Sequence, residues 1–229
     1  LSNARITIIL AEASLELVPP EIAHHPAVVR NARKRGKSPR EVLLDISLHY
    51  AAMKKLRIRE KRGRPDIVHV TLLELLSSPL NIEGRLTTFV HTVNDYVIEV
   101  DPSARIPRNY NRFVGLMEQL LNVGKVPPDS EEPLLRAIPM TFDNLLKRVG
   151  VESVILLSEE GEIMKPEELC RESVERGEPI VIGGFPHGDF DPLIKERASV
   201  IASIYKRPLD TWVVASRIAS GCERLLKIM

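Results

Sequence analysis

Cysteine is nearly missing from this chain. Cys170 and Cys222 occur with no Cys-x-x-Cys spacing, which argues against a disulfide framework and against a thiolate zinc site, so two inert buried thiols are expected. Long apolar runs are also missing. Stretches such as Ser153–Ser158 fall far short of the roughly 20 residues that span a bilayer, so no membrane segment is expected. The start, Leu1-Ser2-Asn3-Ala4, has no basic region, apolar stretch or cleavage site of a signal peptide, and a cytoplasmic protein is expected. There is no Gly-x-Gly-x-x-Gly fingerprint, no Walker sequence and no Gly-x-Ser-x-Gly elbow, which disfavours dinucleotide, P-loop and serine-nucleophile chemistry. The histidines at 24, 25, 49, 69, 91 and 187 lack zinc-ligand spacing, so no metal is expected. Glutamine occurs once, as Gln119, while Glu, Lys and Arg abound, a bias found in proteins that work at high temperature.

What is present suits a globular α/β enzyme. A chain of 229 residues with 44% hydrophobic and 28% charged residues can bury a core as one domain over 1–229. The net charge of +1 hides an asymmetry: residues 1–125 carry 19 Lys and Arg against 13 Asp and Glu, and residues 126–229 carry 13 against 18. Within the first part, residues 30–64 hold 13 basic and 3 acidic side chains. Such a stretch can attract a polyanion, because each neutralised phosphate releases counterions. A solvated charged helix is the other reading.

Hydrophobic patterning sets out the elements. Arg5–Ala11 reads as a buried strand. Residues 19–39 read as a polar, basic loop, followed by a helix from Pro39 towards Lys61, opened by Ser38 and Pro39 and broken at Gly63-Arg64-Pro65. Asp66–Val70 is strand-like, and Leu72–Leu76 a short helix before Pro79. Arg85–Thr92 and Tyr96–Asp101 form a hairpin turning at Asn94-Asp95. A helix covers Asn109–Asn122, and Val126–Pro133 is a proline-rich acidic link. Then come helix Thr141–Val149, strand Ser153–Ser158, a turn at Gly161, helix Pro166–Arg176, strands Glu178–Gly183 and Ser199–Ile204, and a last helix Thr211–Lys227. This alternation predicts a mostly parallel sheet covered by helices.

Two constellations could carry chemistry. In a parallel sheet, ligands bind beyond the carboxyl ends of strands. Three such ends stand out: Ser158, Ile182-Gly-Gly-Phe-Pro-His-Gly188 and Ile204-Tyr-Lys-Arg-Pro-Leu209, where glycine lets backbone approach a ligand. The second constellation is cationic. Arg62-Gly-Arg-Pro-Asp66 places an acid two residues from Arg64, and in Arg105-Ile-Pro-Arg-Asn-Tyr-Asn-Arg112 the spacing of Arg108 and Arg112 puts both on one helix face, a fork suited to phosphates. Surface ion pairs of little consequence are the bland alternative.

At these residues the sequence resembles the nucleolar essential protein family, the ribosome-biogenesis pseudouridine methyltransferases of the SPOUT class. The likeness lies in Arg62-Gly-Arg-Pro-Asp-Ile-Val-His with Ser78-Pro-Leu-Asn81, in Arg105–Met117, and in Ile182–Gly188 with Ile204–Leu209. It covers nearly the whole chain apart from the basic stretch around Arg30–Arg40. The resemblance implies a C-terminal trefoil knot and cofactor-binding region over 178–229, with a basic helical insertion at 20–62 and a β-hairpin extension at 84–102. It implies a homodimer. S-adenosylmethionine would be held by Ser158, Gly183, Gly188, Ile204, Tyr205, Lys206, Arg207, Pro208 and Leu209. Small-subunit rRNA would be gripped by Arg64, Arg105, Arg108 and Arg112, and Asp66 would orient Arg64. The reaction implied is methylation of ring nitrogen 1 of a pseudouridine, with Arg64 and Asp66 nearest the chemistry. A carboxylate already engaged by arginine makes a poor base, which favours the orienting role for Asp66. The alternatives are an RNA-binding assembly factor with secondary or no methylation, a SPOUT enzyme acting on another RNA base, and, more distantly, a nucleotide-dependent oxidoreductase.

Overall fold

A computed structural model describes residues 4–228. The chain runs β1 (Ile6–Ala13), α1 (Pro26–Lys34), α2 (Ile46–Met53), α3 (Pro65–Ser77), α4 (Pro79–Ile82), β2 (Leu86–Thr92), β3 (Tyr96–Val100), α5 (Tyr110–Val123), β4 (Lys125–Val126), β5 (Leu135–Pro139), α6 (Phe142–Val149), β6 (Val154–Ile163), α7 (Pro166–Arg176), β7 (Ile180–Gly183), α8 (Pro192–Lys195), β8 (Ala198–Ser203) and α9 (Thr211–Leu225). Single 3-10 turns lie at Pro20–Ile22, Pro39–Glu41 and Arg59–Lys61.

The strands form a sheet of eight in the order β4-β5-β3-β2-β1-β7-β6-β8. From β2 to β8 the neighbours are parallel; β3, β5 and β4 continue the other side antiparallel. β1 is buried along both faces, with Ile6, Ile8 and Leu10 in one hydrophobic cluster and Ile9 and Ala11 in the other. That explains its unbroken apolar run, because a strand covered by helices on both sides has no polar face. The larger cluster is completed by α3, α5, α7 and α9, and the smaller by α6 and α8. Phe113 of α5 is fully buried, a contribution of about 2–3 kcal/mol from apolar area.

Several expectations change on contact with the fold. Residues 19–39 are not a loop: α1 starts at Pro26, and the His25 Nδ1 accepts the Ala27 N–H at 3.2 Å as its cap. No continuous helix runs from Pro39 to Lys61. The capping box at Ser38 and Glu41 opens one 3-10 turn, Leu43 then bridges Leu17, and Asp45 caps a new helix, α2, by accepting the Ser47 N–H at 2.8 Å. This segment has a small core of its own, including Val18, Val28, Val42, Leu44, Met53 and Leu56. Asp66–Val70 belongs to α3 rather than a strand, since Pro65 fills the first helical position and Ile67, Val68, Thr71, Leu72 and Leu75 are buried at helical spacing. Gly161 is no turn but part of β6. A Cβ there would meet the backbone of Ala202 at 2.5 Å, so glycine allows β6 and β8 to come together at an irregularity in their register. Finally, Cys170 and Cys222 are not free thiols. They form a disulfide between α7 and α9, helices whose contact is already close because a Cβ on Gly221 would meet the Pro166 Cβ at 2.4 Å.

Candidate functional site

The parallel strands direct the carboxyl ends of β6, β7 and β8 to one edge, where a cleft of about 340 Å³ opens. It is lined by Ser158, Gly183, Gly188, Ile204, Tyr205, Arg207, Pro208 and Leu209, so eight of the nine residues expected to hold a cofactor come together there. Lys206 does not line it and is exposed. Apolar surface comes from Leu157, Ile182 and Val214, while Glu159, Glu160 and Asp189 add carboxylates at the rim.

Glycine is required around this cleft for space. A Cβ on Gly184 would lie 2.8 Å from the Ala13 Cα, and the close approach lets the Gly184 N–H donate to the Ala11 carbonyl and the Ser14 N–H donate to the Gly184 carbonyl, each at 2.8 Å. Gly188 has φ of +100°, which L side chains rarely adopt. The Thr211 hydroxyl donates to the Gly183 carbonyl at 2.8 Å, fastening the start of α9 to the end of β7.

Beside the cleft lies the arginine site. Arg64 and Asp66 pair through two bonds of 2.8 Å, Nε to Oδ1 and Nη2 to Oδ2. This fork fixes the guanidinium plane. The hydrogen bonds that Arg64 donates to Asp66 are the main reason its pKa is raised, with Asp210 and Asp45 adding to it through space. Arg64 thus lies in the field of Asp210, which follows the Ile204–Leu209 loop directly. The two sites also share Ser14: its hydroxyl accepts the Arg64 N–H at 2.7 Å while its own N–H holds Gly184. Asp45 accepts the Tyr110 hydroxyl at 2.6 Å, and burial followed by this bond raises the Tyr110 pKa far above the ordinary phenol range. Across the site, His69 stacks on Phe113 and bonds the Pro107 carbonyl at 2.7 Å.

Arg105, Arg108 and Arg112 are exposed, with no ion-pair partner among the described residues. The expected helix-face pairing of Arg108 and Arg112 fails. Asn109 caps α5 by accepting the Arg112 N–H, so Arg108 lies before the helix, on a second cleft formed with α3, α4 and α9.

The charge of the 30–64 stretch divides in two. Glu118, fully buried on α5, takes both Nη atoms of Arg35 at 2.5 and 2.6 Å, the Lys37 Nζ at 2.5 Å and the Leu43 N–H at 3.0 Å. Glu16 takes Arg62 through two bonds of 2.7 Å, and Glu12 takes Lys61 at 2.7 Å. Lys61 also lies 4.7 Å above the Phe185 ring, which lines the cleft, while the other Glu12 oxygen accepts the Asp191 N–H. Sequence reasoning missed Ser14, Glu12, Lys61 and Thr211; the available signal was three polar residues, Glu12, Ser14 and Glu16, at the end of an otherwise apolar strand. Among the described residues no cluster of three or more His, Cys, Asp or Glu could hold a metal, and no helix is long and apolar enough to cross a membrane.

An edge cleft at strand ends with an arginine fork beside it is the layout of an enzyme that brings a small molecule to an anionic substrate. Residues 8–223 match the model of the EMG1/NEP1 methyltransferases, and the chain belongs to that family. Its relatives include the ribosomal RNA small subunit methyltransferase Nep1 of Staphylothermus marinus, 56% identical over 98% of this chain and 97% of the relative. The Nep1 of Saccharolobus solfataricus is 49% identical over 96% of this chain and 98% of its own. A solved structure of Archaeoglobus fulgidus Nep1 bound to S-adenosylhomocysteine superposes with a TM-score of 0.84 at 39% identity, covering 96% of this chain and 98% of that one.

Proposed function

We propose that the protein methylates ring nitrogen 1 of a pseudouridine in small-subunit rRNA, using S-adenosylmethionine, and so serves small-subunit biogenesis. The observation that carries this reading is the link through Ser14 between the glycine-lined cleft and the Arg64–Asp66 fork, in a chain whose structural neighbour binds S-adenosylhomocysteine.

The cleft fits the cofactor. Its volume falls within the range of small-molecule sites, its apolar walls suit a purine, and Glu159, Glu160 and Asp189 complement a sulfonium and an ammonium. When bound, the cofactor supplies a methyl group already activated on sulfur. Ser158, Gly183, Gly188 and the 204–209 loop would hold it, with Tyr205, Arg207, Pro208 and Leu209 along the wall and Lys206 at the exposed edge. Arg64, Arg105, Arg108 and Arg112 would hold the RNA backbone, and Asp66 would keep the Arg64 plane fixed. Holding two reactants in line can be worth about 7–11 kcal/mol, which makes alignment the main contribution of these residues. The target base would be turned out of its loop to reach the cleft.

The order β7-β6-β8 with α9 returning onto α3 and α7 supports a trefoil knot over residues 178–229. We take 1–229 as one domain, with 20–62 as the basic insertion and 84–102 as the hairpin extension. The small residues Ser216, Ala219 and Ser220 of α9, which line the second cleft, support a homodimer, whereas Ala215 and Gly221 pack within the subunit.

Methyl transfer to a pseudouridine-containing loop RNA, with the matched uridine RNA as control, tests the reading. Transfer to the first and not the second supports it. Equal transfer would assign another base, and S-adenosylmethionine binding without transfer would favour an assembly factor.

A further inference from the structure

The segment between Ile46 and Gly63 leaves the body and returns to the same point. The Ile46 N–H donates to the Gly63 carbonyl at 2.8 Å, immediately before Arg64. Gly63 has φ of +75°, and a Cβ there would lie 2.7 Å from the Met53 Cε and 3.1 Å from the Ile46 nitrogen, so the neck of this lobe requires glycine. One acid, Glu60, occurs in 46–63.

Its cations sort by role. Lys61 and Arg62, at the returning end, are consumed by Glu12 and Glu16. Lys54, Lys55, Arg57 and Arg59 are exposed and make no ion pair among the described residues. Set among them are three exposed large hydrophobics: Leu48 at 49%, Tyr50 at 59% and Ile58 at 49%. Tyr50 and Lys54 are four apart across the end of α2, so they share a face. Ile58 has φ of +45°, a strained setting for a β-branched residue, and strain of this kind gathers where a surface is used. α2 is about 12 Å long, so the free cations begin roughly that far from its Asp45-capped start, which touches Tyr110.

We propose that this face of the lobe, with Tyr50, Lys54, Lys55, Arg57 and Arg59, binds unpaired RNA that continues from the nucleotide held at Arg64. The inference rests on the rRNA reading above and extends it from the target base to its flank. Unneutralised cations around an exposed aromatic ring match single-stranded nucleic acid, in which phosphates need counter-charge and every base offers a face for stacking. A rigid duplex would use the cations and leave Tyr50 without a role.

The test compares a short pseudouridine oligonucleotide of about seven nucleotides with one of about fifteen sharing the same centre. Binding is followed by fluorescence anisotropy across a salt series. The wild type should bind the longer RNA about tenfold more tightly. Tyr50→Ala should erase most of that gain and Tyr50→Phe should keep it. Lys54→Ala/Lys55→Ala should lower the salt slope for the longer RNA by about 1.4, two phosphates on a single strand. Affinity for the short RNA and for S-adenosylhomocysteine should not change, and circular dichroism confirms that the variants fold. Equal affinity of the wild type for both RNAs, or equal weakening of both by the variants, would overturn the lobe proposal alone. Failure of the wild type to bind the short RNA would instead remove the rRNA reading and this one with it.

Discussion

Lys61 and Glu12 meet as a nearly buried ion pair, Nζ to Oε1 at 2.7 Å, that joins the basic stretch at 30–64 to the end of the central strand. Because Lys61 also covers Phe185, which lines the cleft, the pair connects the basic stretch to the cleft wall. Removing one member leaves the other charge buried, which typically costs about 3–5 kcal/mol. Lys61→Met is expected to destabilise by about that much in guanidinium unfolding, and Lys61→Met/Glu12→Gln to recover a large part of it. S-adenosylhomocysteine affinity should fall in the single variant. A single variant as stable as the wild type would refute the role.

The Arg64–Asp66 fork leads to a second expectation. If Asp66 orients Arg64, Asp66→Ala lowers RNA affinity and turnover together, by roughly ten- to a hundred-fold for a lost charge-assisted bond. Loss of turnover with RNA affinity intact would show that Asp66 acts on the reaction itself.

The Cys170–Cys222 disulfide closes a segment of 52 residues that contains two of the loops lining the cleft, at 183–188 and 204–209. On a chain-entropy estimate a loop of this size is worth about 4 kcal/mol. Cys170→Ala/Cys222→Ala, or wild type under reductant, should therefore unfold at a clearly lower guanidinium concentration. Identical midpoints with and without reductant would rule the effect out.

Acid should loosen residues 30–45 before the sheet. Burial raises the Glu118 pKa, but the bonds from Arg35, Lys37 and the Leu43 N–H outweigh it, and the net pKa lies below the ordinary 4.5. A depressed folded-state pKa gives stability that is complete above about pH 4.5 and is lost as pH falls through the folded value. Hydrogen exchange at residues 30–45 should accelerate below that pH while β1 stays protected. In Glu118→Gln the segment should exchange fast at neutral pH already.

How much could be read in advance depended on how local each signal was. The hairpin at Asn94-Asp95, the helix capped by Asn109 and the helices at 142–149 and 166–176 are written in adjacent residues and stand where expected. The run Asp66–Val70 misled because β-branched residues suit a strand as well as a buried helix, and tertiary packing decides between them. The stretch at 39–61 misled because Leu43 pairs with Leu17, a contact that no local pattern announces. The cysteines carry no local sign of pairing, because Cys170 and Cys222 are 52 residues apart and meet only where α7 packs on α9. The single glutamine was the one compositional hint, since disulfides are common in proteins of hot-living organisms. The cleft residues were nameable from the resemblance, whereas the polar run Glu12, Ser14 and Glu16 marks the end of a strand without showing that Ser14 joins the cleft to Arg64, a contact between residues far apart in the chain.

The closed neck at Ile46 and Gly63 makes the lobe a module in a mechanical sense. Since both ends are pinned to one point, residues could be added or removed between them while Arg64 keeps its place over the sheet. The length of the lobe can thus change without displacing Arg64 and its partner Asp66.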